Sequence, residues 1–349
     1  MTRHTVFEGI KELSPSYFAL VMATGIVSIA AEYTGYSSIA FILLWLNIVQ
    51  YILLWILYIW RIIWFPKNFL HDLTDHQNSF GFFTVIAGTC VFANQLIVIY
   101  NLYSISTALW IIGTILWIVM TYTIFVNITI NETKPELDRG INGSWLLAIV
   151  ATQAIAVLSA LLSQHFDQPY RLYLNFLALS MWLWGGMMYI WMISLIFYRY
   201  TFYKFLPGDL SPPYWINMGA MAISTLAGSL LIENTGDAWF LQSLLPFLKG
   251  FTIFFWATGT WWIPMLFILA IWRHGYKKYP LTYEPGYWGG VFPLGMYTVS
   301  TFEMARVMKL DFLILIPKYF IFIALAAWIA TFYGLVNYIF KHIITPIKQ

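Results

Sequence analysis

Apolar residues fall into ten long blocks along this chain, separated by short polar stretches. The blocks cover approximately 14–33, 37–65, 78–100, 105–130, 142–163, 172–200, 211–233, 247–273, 284–307 and 311–341. A helix rises about 1.5 Å per residue and the hydrocarbon core of a bilayer is roughly 30 Å thick, so each block is long enough to cross. Open sheets leave backbone groups unsatisfied in lipid, which makes helix the only workable element. The pattern predicts an all-α polytopic membrane protein with ten transmembrane helices in a single domain over 1–349, with short tails at 1–13 and 342–349.

The polar stretches alternate in charge. Those after blocks two, four, six and eight carry Arg61, Lys67, Lys134, Arg139, Arg199, Lys204, Arg273, Lys277 and Lys278. With Arg3, Lys11, Lys341 and Lys348, one side holds 13 of the 18 basic residues. Basic residues concentrate in cytoplasmic loops, so both termini are expected inside a cell membrane. Only an even number of spans allows this. The N-terminal stretch lacks the small-residue cleavage pattern of a signal peptide, and the first block is expected to be retained. Composition agrees: 60% of residues are hydrophobic and 9% charged, against roughly 25% charged in soluble domains.

The odd and even blocks differ. Of 18 tryptophans, 14 lie in the even blocks. The odd blocks instead carry glycines and small polar residues, among them Thr24, Gly25, Gly88, Thr89, Asn94, Thr152, Gln153, Asn217, Gly219 and Thr298. Small residues let membrane helices approach closely, and polar ones avoid lipid. Odd helices are therefore expected inside and even helices outside. Aromatic anchors recur near the start of each odd block, at Phe18, Phe83, Trp145, Trp215 and Trp288, with spacings of 65, 62, 70 and 73 residues. Each period is one helical hairpin, and repeats entering from the same side are related by an axis along the membrane normal. Five hairpins with quasi-fivefold symmetry would surround a central pore. With helices about 8–10 Å apart, five of them leave a gap on the order of 6 Å.

The expected lining of that pore is neutral. Met22, Ala87, Ile149, Gly219 and Phe292 stand four residues past the anchors, with Thr24, Thr152 and Asn217 as polar lining. No Lys, Arg, Asp or Glu lies in the middle of an odd block. Cation channels carry carboxylate rings at their constrictions, whereas a neutral constriction permits anions. Glu32, Glu233, Glu303 and Arg306 lie toward the far ends and form a candidate outer vestibule, with Glu303 and Arg306 spaced to pair on one helical face. Phe292 precedes Pro293, which removes a backbone donor and marks a helix kink. A ring at that point is a candidate gate. Catalytic and cofactor motifs are absent: there is no His-Glu-x-x-His, no His-x-x-Glu-His and no Gly-x-x-x-x-Gly-Lys loop. His71, Asp72, Asp75 and His76 form a cluster that reads as a solvated turn, not a metal site. No enzyme activity, cofactor, metal or nucleic-acid partner is expected.

Four stretches carry a family resemblance: Ser14-Pro15-Ser16-Tyr17-Phe18 through Met22-Ala23-Thr24-Gly25, Gly143-Ser144-Trp145-Leu146-Leu147, Pro212-Pro213-Tyr214-Trp215-Ile216, and Tyr287-Trp288 through Phe292-Pro293. In their order and spacing the chain resembles the slow-type anion channel, tellurite-resistance and C4-dicarboxylate transporter family. The resemblance implies five hairpins around a pore in a homotrimer, and transport of chloride, nitrate or similar anions, or of malate-like dicarboxylates. It implies that Phe292, the best match to a pore-plugging phenylalanine in helix nine, is the gate. Unlike plant members, this chain carries no long charged tails, which speaks against kinase-driven gating.

Overall fold

The computed structural model describes residues 3–341, and among these it is helical without strands. Ten helices of fifteen residues or more set the architecture: α1 Ala19–Tyr33, α2 Ser37–Trp64, α3 Phe83–Tyr100, α4 Tyr103–Ile130, α5 Leu147–Ser163, α6 Tyr170–Phe202, α7 Ile216–Glu233, α8 Leu245–Ala270, α9 Trp288–Met308 and α10 Leu315–Ile339. Among the described residues nine helices are long and apolar enough to cross a membrane. The exception is α9, whose Gly289, Gly290, Pro293, Glu303 and Arg306 lower its mean hydropathy. It is nonetheless buried along almost its whole length. The tail expected at 342–349 lies outside the described residues. That at 1–13 contains a helix, Arg3–Lys11, whose Phe7 sets its ring edge-on against Trp60, Trp64 and Phe65.

The odd helices form an inner ring. α1 packs on α3, α3 on α5, α5 on α7, α7 on α9, and α9 again on α1. Each also packs against the long helix that follows it in the chain, so the even helices form an outer shell. Close approach within the ring needs missing side chains. A Cβ at Gly219 would lie 2.7 Å from the ring of Pro293, so α7 receives the proline of α9 where it has no side chain of its own. The α9 helix runs through Pro293 without interruption.

Each inner helix begins with a short 3-10 turn, at Pro15–Phe18, Ser79–Phe82, Gly143–Leu146, Pro212–Trp215 and Pro285–Tyr287. These five turns touch one another in the same cyclic order as the helices they precede. A Cβ at Gly143 would lie 2.5 Å from the backbone of Pro213, which is why that turn tolerates only glycine. The turns end at Phe18, Phe82, Leu146, Trp215 and Tyr287. The aromatic anchors expected at Phe83, Trp145 and Trp288 stand within one residue of these ends.

The outer shell is tied to the ring by indoles. Trp110 donates to Ser159 Oγ (2.8 Å), Trp117 to Thr152 Oγ1 (2.8 Å), Trp256 to Thr301 Oγ1 (3.0 Å) and Trp328 to Thr24 Oγ1 (3.0 Å). Trp182 donates to the Ser224 carbonyl (2.8 Å). The Thr152 hydroxyl gives its own proton to the Ala148 carbonyl (2.8 Å), leaving oxygen lone pairs for the indole. In hydrocarbon neither group has water as an alternative partner, so these bonds fix which faces of α4, α6, α8 and α10 turn inward.

Three buried arginines secure one end of the shell. Arg61, late in α2, donates to the Lys11 carbonyl (3.1 Å) and pairs with Asp72. Arg199, late in α6, donates to the Ile141 carbonyl (3.0 Å) and to the Tyr214 hydroxyl, with Asp209 at 3.4 Å. Arg273, in the wide turn Ile271–Tyr276 that extends α8, donates to the Leu210 carbonyl. The basic residues that give the loops their charge thus hold the polypeptide between the hairpin ends.

Candidate functional site

A small cavity lies on the axis of the ring, and all five inner helices line it. It is bounded by Ile26, Ile29 and Tyr33 of α1, Asn94 and Val98 of α3, Val157 and Leu161 of α5, Leu226 and Leu230 of α7, and Met296 and Val299 of α9. Its volume is about 20 Å³, room for about one water. Residues at i, i+3, i+4 and i+7 share a helix face, so each lining stripe can be followed toward the 3-10 turns. Met22 precedes Ile26 by four residues, Ala87 precedes Asn94 by seven, Gly219 precedes Leu226 by seven, and Phe292 precedes Met296 by four and Val299 by seven. All four side-chain positions are fully enclosed. At this level Gly219 faces Pro293, the residue after Phe292.

Ile149 does not fall on the stripe of Val157 and Leu161. It lies about 100° around α5 from Val150, which does. Val157 follows Leu146 by eleven residues, as Ile29, Asn94, Leu226 and Val299 follow Phe18, Phe83, Trp215 and Trp288, so among the anchors Trp145 stands one residue early. The expected polar lining also faces elsewhere. The hydroxyls of Thr24 and Thr152 point outward and accept from Trp328 and Trp117. The Asn217 side-chain amide donates to the Tyr200 hydroxyl (3.3 Å), and its backbone carbonyl accepts from the Tyr189 hydroxyl (3.2 Å), both tyrosines on α6. The lining is more apolar than the composition of the inner helices suggests. Its amide is Asn94, a residue 5% exposed whose Oδ1 has no hydrogen-bond partner. An unpartnered buried amide costs free energy, and here it faces the axis. Gly, Thr and Ser positions drew attention in the sequence; Asn94 was visible there as one of many polar residues, without a signal for which face it occupies.

At the end of the axis opposite the 3-10 turns the ionised groups converge. Arg306 bonds to Glu303 Oε2 through Nη2 (2.6 Å) and Nε (2.9 Å), and to Glu233 Oε1 through Nη2 (2.7 Å). Pairing of Glu303 and Arg306 on one face was legible from their spacing; the bridge to Glu233 on α7 was not. Glu303 follows Phe292 by eleven residues, three helical turns along the same stripe, and is 4% exposed. Tyr33 flanks the cluster and packs against Phe302 with ring centroids 5.3 Å apart. Glu32 stands apart, accepting from Ser37 (3.1 Å). Two carboxylates and one guanidinium gather at this end, and the small cavity with its single amide lies beneath them.

The cluster His71, Asp72, Asp75 and His76 is occupied with local structure. Asp72 pairs with Arg61, and Asp75 accepts from the backbone N–H of Gln77 (3.1 Å) and Asn78 (2.8 Å). Among the described residues no group of three His, Cys, Asp or Glu side chains is placed to hold a metal ion.

A buried ring of helices inside a shell of apolar helices defines a multi-pass membrane protein. Residues 12–336 match the voltage-dependent anion channel family, and the chain belongs to that family. Similar proteins include an uncharacterized transporter of Methanocaldococcus jannaschii, 25% identical over 95% of this chain and 96% of its own length. A sulfite efflux pump of Arthroderma benhamiae is 22% identical over 93% of this chain and 90% of its own. An uncharacterized membrane protein of Mycobacterium tuberculosis is 37% identical over 44% of this chain and 77% of its own. The family is named for a channel, and two of these relatives are named a transporter and an efflux pump.

Proposed function

We propose that the chain conducts small inorganic anions along the axis of its inner ring, with Phe292 as the gate. The observation that carries this is the convergence of one stripe from each of five buried helices on a single cavity. All ten long helices cross the membrane in this arrangement, as five hairpins with quasi-fivefold symmetry, α9 being shielded from lipid by its neighbours. Both termini are cytoplasmic, on the side of the 3-10 turns and the buried arginines. An apolar path admits ions according to the cost of removing their water, which favours weakly hydrated monovalent anions such as chloride and nitrate over divalent ones. Asn94 offers an amide N–H to an ion in transit.

Phe292, whose ring is fully enclosed, closes the path at its layer. Replacing Phe292 by Ala removes that ring without touching the ion cluster. Anion conductance in a planar bilayer should rise by on the order of tenfold. Unchanged current in a correctly inserted Phe292→Ala protein discards the gate. A reversal-potential series over chloride, nitrate, sulfite, sulfate and malate orders the permeant ions. Saturable malate uptake that follows a pH gradient would replace the channel by a dicarboxylate carrier. The protein acts as a homotrimer in this proposal, which rests on the family resemblance and is checked by mass measurement of the purified complex.

A further inference from the structure

Of the three buried arginines, one lacks a counter-charge. Arg61 has Asp72 and Arg199 has Asp209. Among the described residues no carboxylate lies within ion-pair distance of Arg273, which is 6% exposed. Its guanidinium holds the Leu210 carbonyl and lies 4.4 Å from the centre of the Tyr279 ring, but its Nε is buried with no acceptor. Burial of a cation without a partner is strongly unfavourable, so this position invites an anion.

The surroundings supply room for one. Arg273 borders a cleft of about 260 Å³ whose walls include Leu266, Ala270, Val291, Leu294 and Ala327. At Tyr287, Ala330 and Thr331 it joins a wider crevice of about 740 Å³ that reaches Lys341. Both open where the shell is thinnest, since α8 touches the next inner helix, α9, far less than the other outer helices touch theirs. The walls are apolar and the floor is cationic. A soluble anion would gain nothing from the walls, whereas a phospholipid would use both parts.

We propose that this cleft is a binding site for an anionic phospholipid, with the headgroup phosphate paired to the Arg273 guanidinium and an acyl chain along the wall between α8 and α10. The leaflet at this end of the molecule is the one facing the buried arginines, and negatively charged headgroups are drawn to basic residues at such surfaces. Arg273 then has the acceptor that Asp72 and Asp209 provide to its counterparts.

Lipid retention tests the site independently of transport. The full-length protein, delipidated in detergent and exposed to an equimolar mixture of phosphatidylglycerol and phosphatidylcholine, should retain the anionic lipid about fivefold or more over the neutral one. Arg273→Gln should bring that ratio close to one. Because this change also removes the bond to Leu210, Ala330→Trp serves as a second variant: it keeps Arg273, fills the cleft and should also abolish the preference. Phosphatidylglycerol, but not glycerol phosphate at equal concentration, should raise the melting temperature of the unsubstituted protein. Equal retention of both lipids, or an undiminished preference in both variants, overturns the proposal. Stabilisation by glycerol phosphate alone assigns the site to a soluble anion and overturns the lipid.

Discussion

The most apolar 18 residues within Gly143–Ser163 and within Asp311–Ile339 have the same mean hydropathy, yet 94% of the first segment and 28% of the second is buried within the protein. Hydropathy tells both to leave water but does not say what should surround them. The first is built from Ala, Val, Leu and small hydroxyl residues, so its backbone can approach α3, α6 and α7 together. The second presents Tyr319, Phe322, Ile323, Ile329 and Tyr333 outward, bulky groups that fill the irregular space among acyl chains. Side-chain size and the placement of hydroxyls separate the inner ring from the shell, with apolarity common to both.

That contrast can be broken first at the ring. Gly219→Leu drives a side chain into the Pro293 ring, which already lies where a Cβ would be 2.7 Å away. The expected loss is about 3 kcal/mol or more, at the upper end of overpacking costs, read as a lowered denaturation midpoint in detergent. An unaltered midpoint would mean that α7 and α9 separate freely. A smaller effect is expected at the ring–shell boundary. Thr152→Val leaves the Trp117 indole N–H buried without its acceptor, a cost of about 1–3 kcal/mol. Trp191→Leu, on the outward face and 52% exposed, should stay within about 0.5 kcal/mol. Equal losses at Thr152 and Trp191 would erase the distinction between inner and outer faces.

The smallest expected effect lies outside the membrane. Burial beside Trp145, with ring centroids 5.3 Å apart, pushes the His76 imidazole below its usual pKa of 6.5; Asp75 opposes this and Lys134 adds to it. The unfolded chain therefore binds the proton more readily than the folded one. The stability linked to His76 is complete above pH 6.5 and declines as the pH falls through the folded value. Melting temperature measured between pH 7.5 and 5 should drop on the acidic side, and His76→Asn should flatten the curve.

Much of the architecture was legible in the sequence. The ten blocks match the ten long helices to within a few residues, and the uneven distribution of tryptophan marked the shell. The role of tryptophan in the shell was not. Trp117 and Trp328 turn their N–H groups inward to Thr152 and Thr24, so those hydroxyls serve helix packing and not an aqueous lining. A polar side chain in a membrane has two refuges, water in a conduit or a donor on a neighbouring helix, and both leave the same trace in a sequence. Phe292 and Gly219 were selected by their place in the repeat, one and two helical turns before the cavity-lining Met296 and Leu226. Ile149 was not on its stripe, because a slip of one residue turns a helix by about 100°.

The sequence alone determined that this chain is helical, that it belongs in a bilayer, and which of its segments are slim enough to pack together. These are properties of local composition, and a helix in lipid has no alternative backbone partner. The tertiary structure decided which faces of the slim helices meet at the axis, that Arg306 joins Glu303 to Glu233, and that Arg273 is left without a carboxylate. Each depends on the rotation of one helix against another, which is fixed by contacts between residues far apart in the chain.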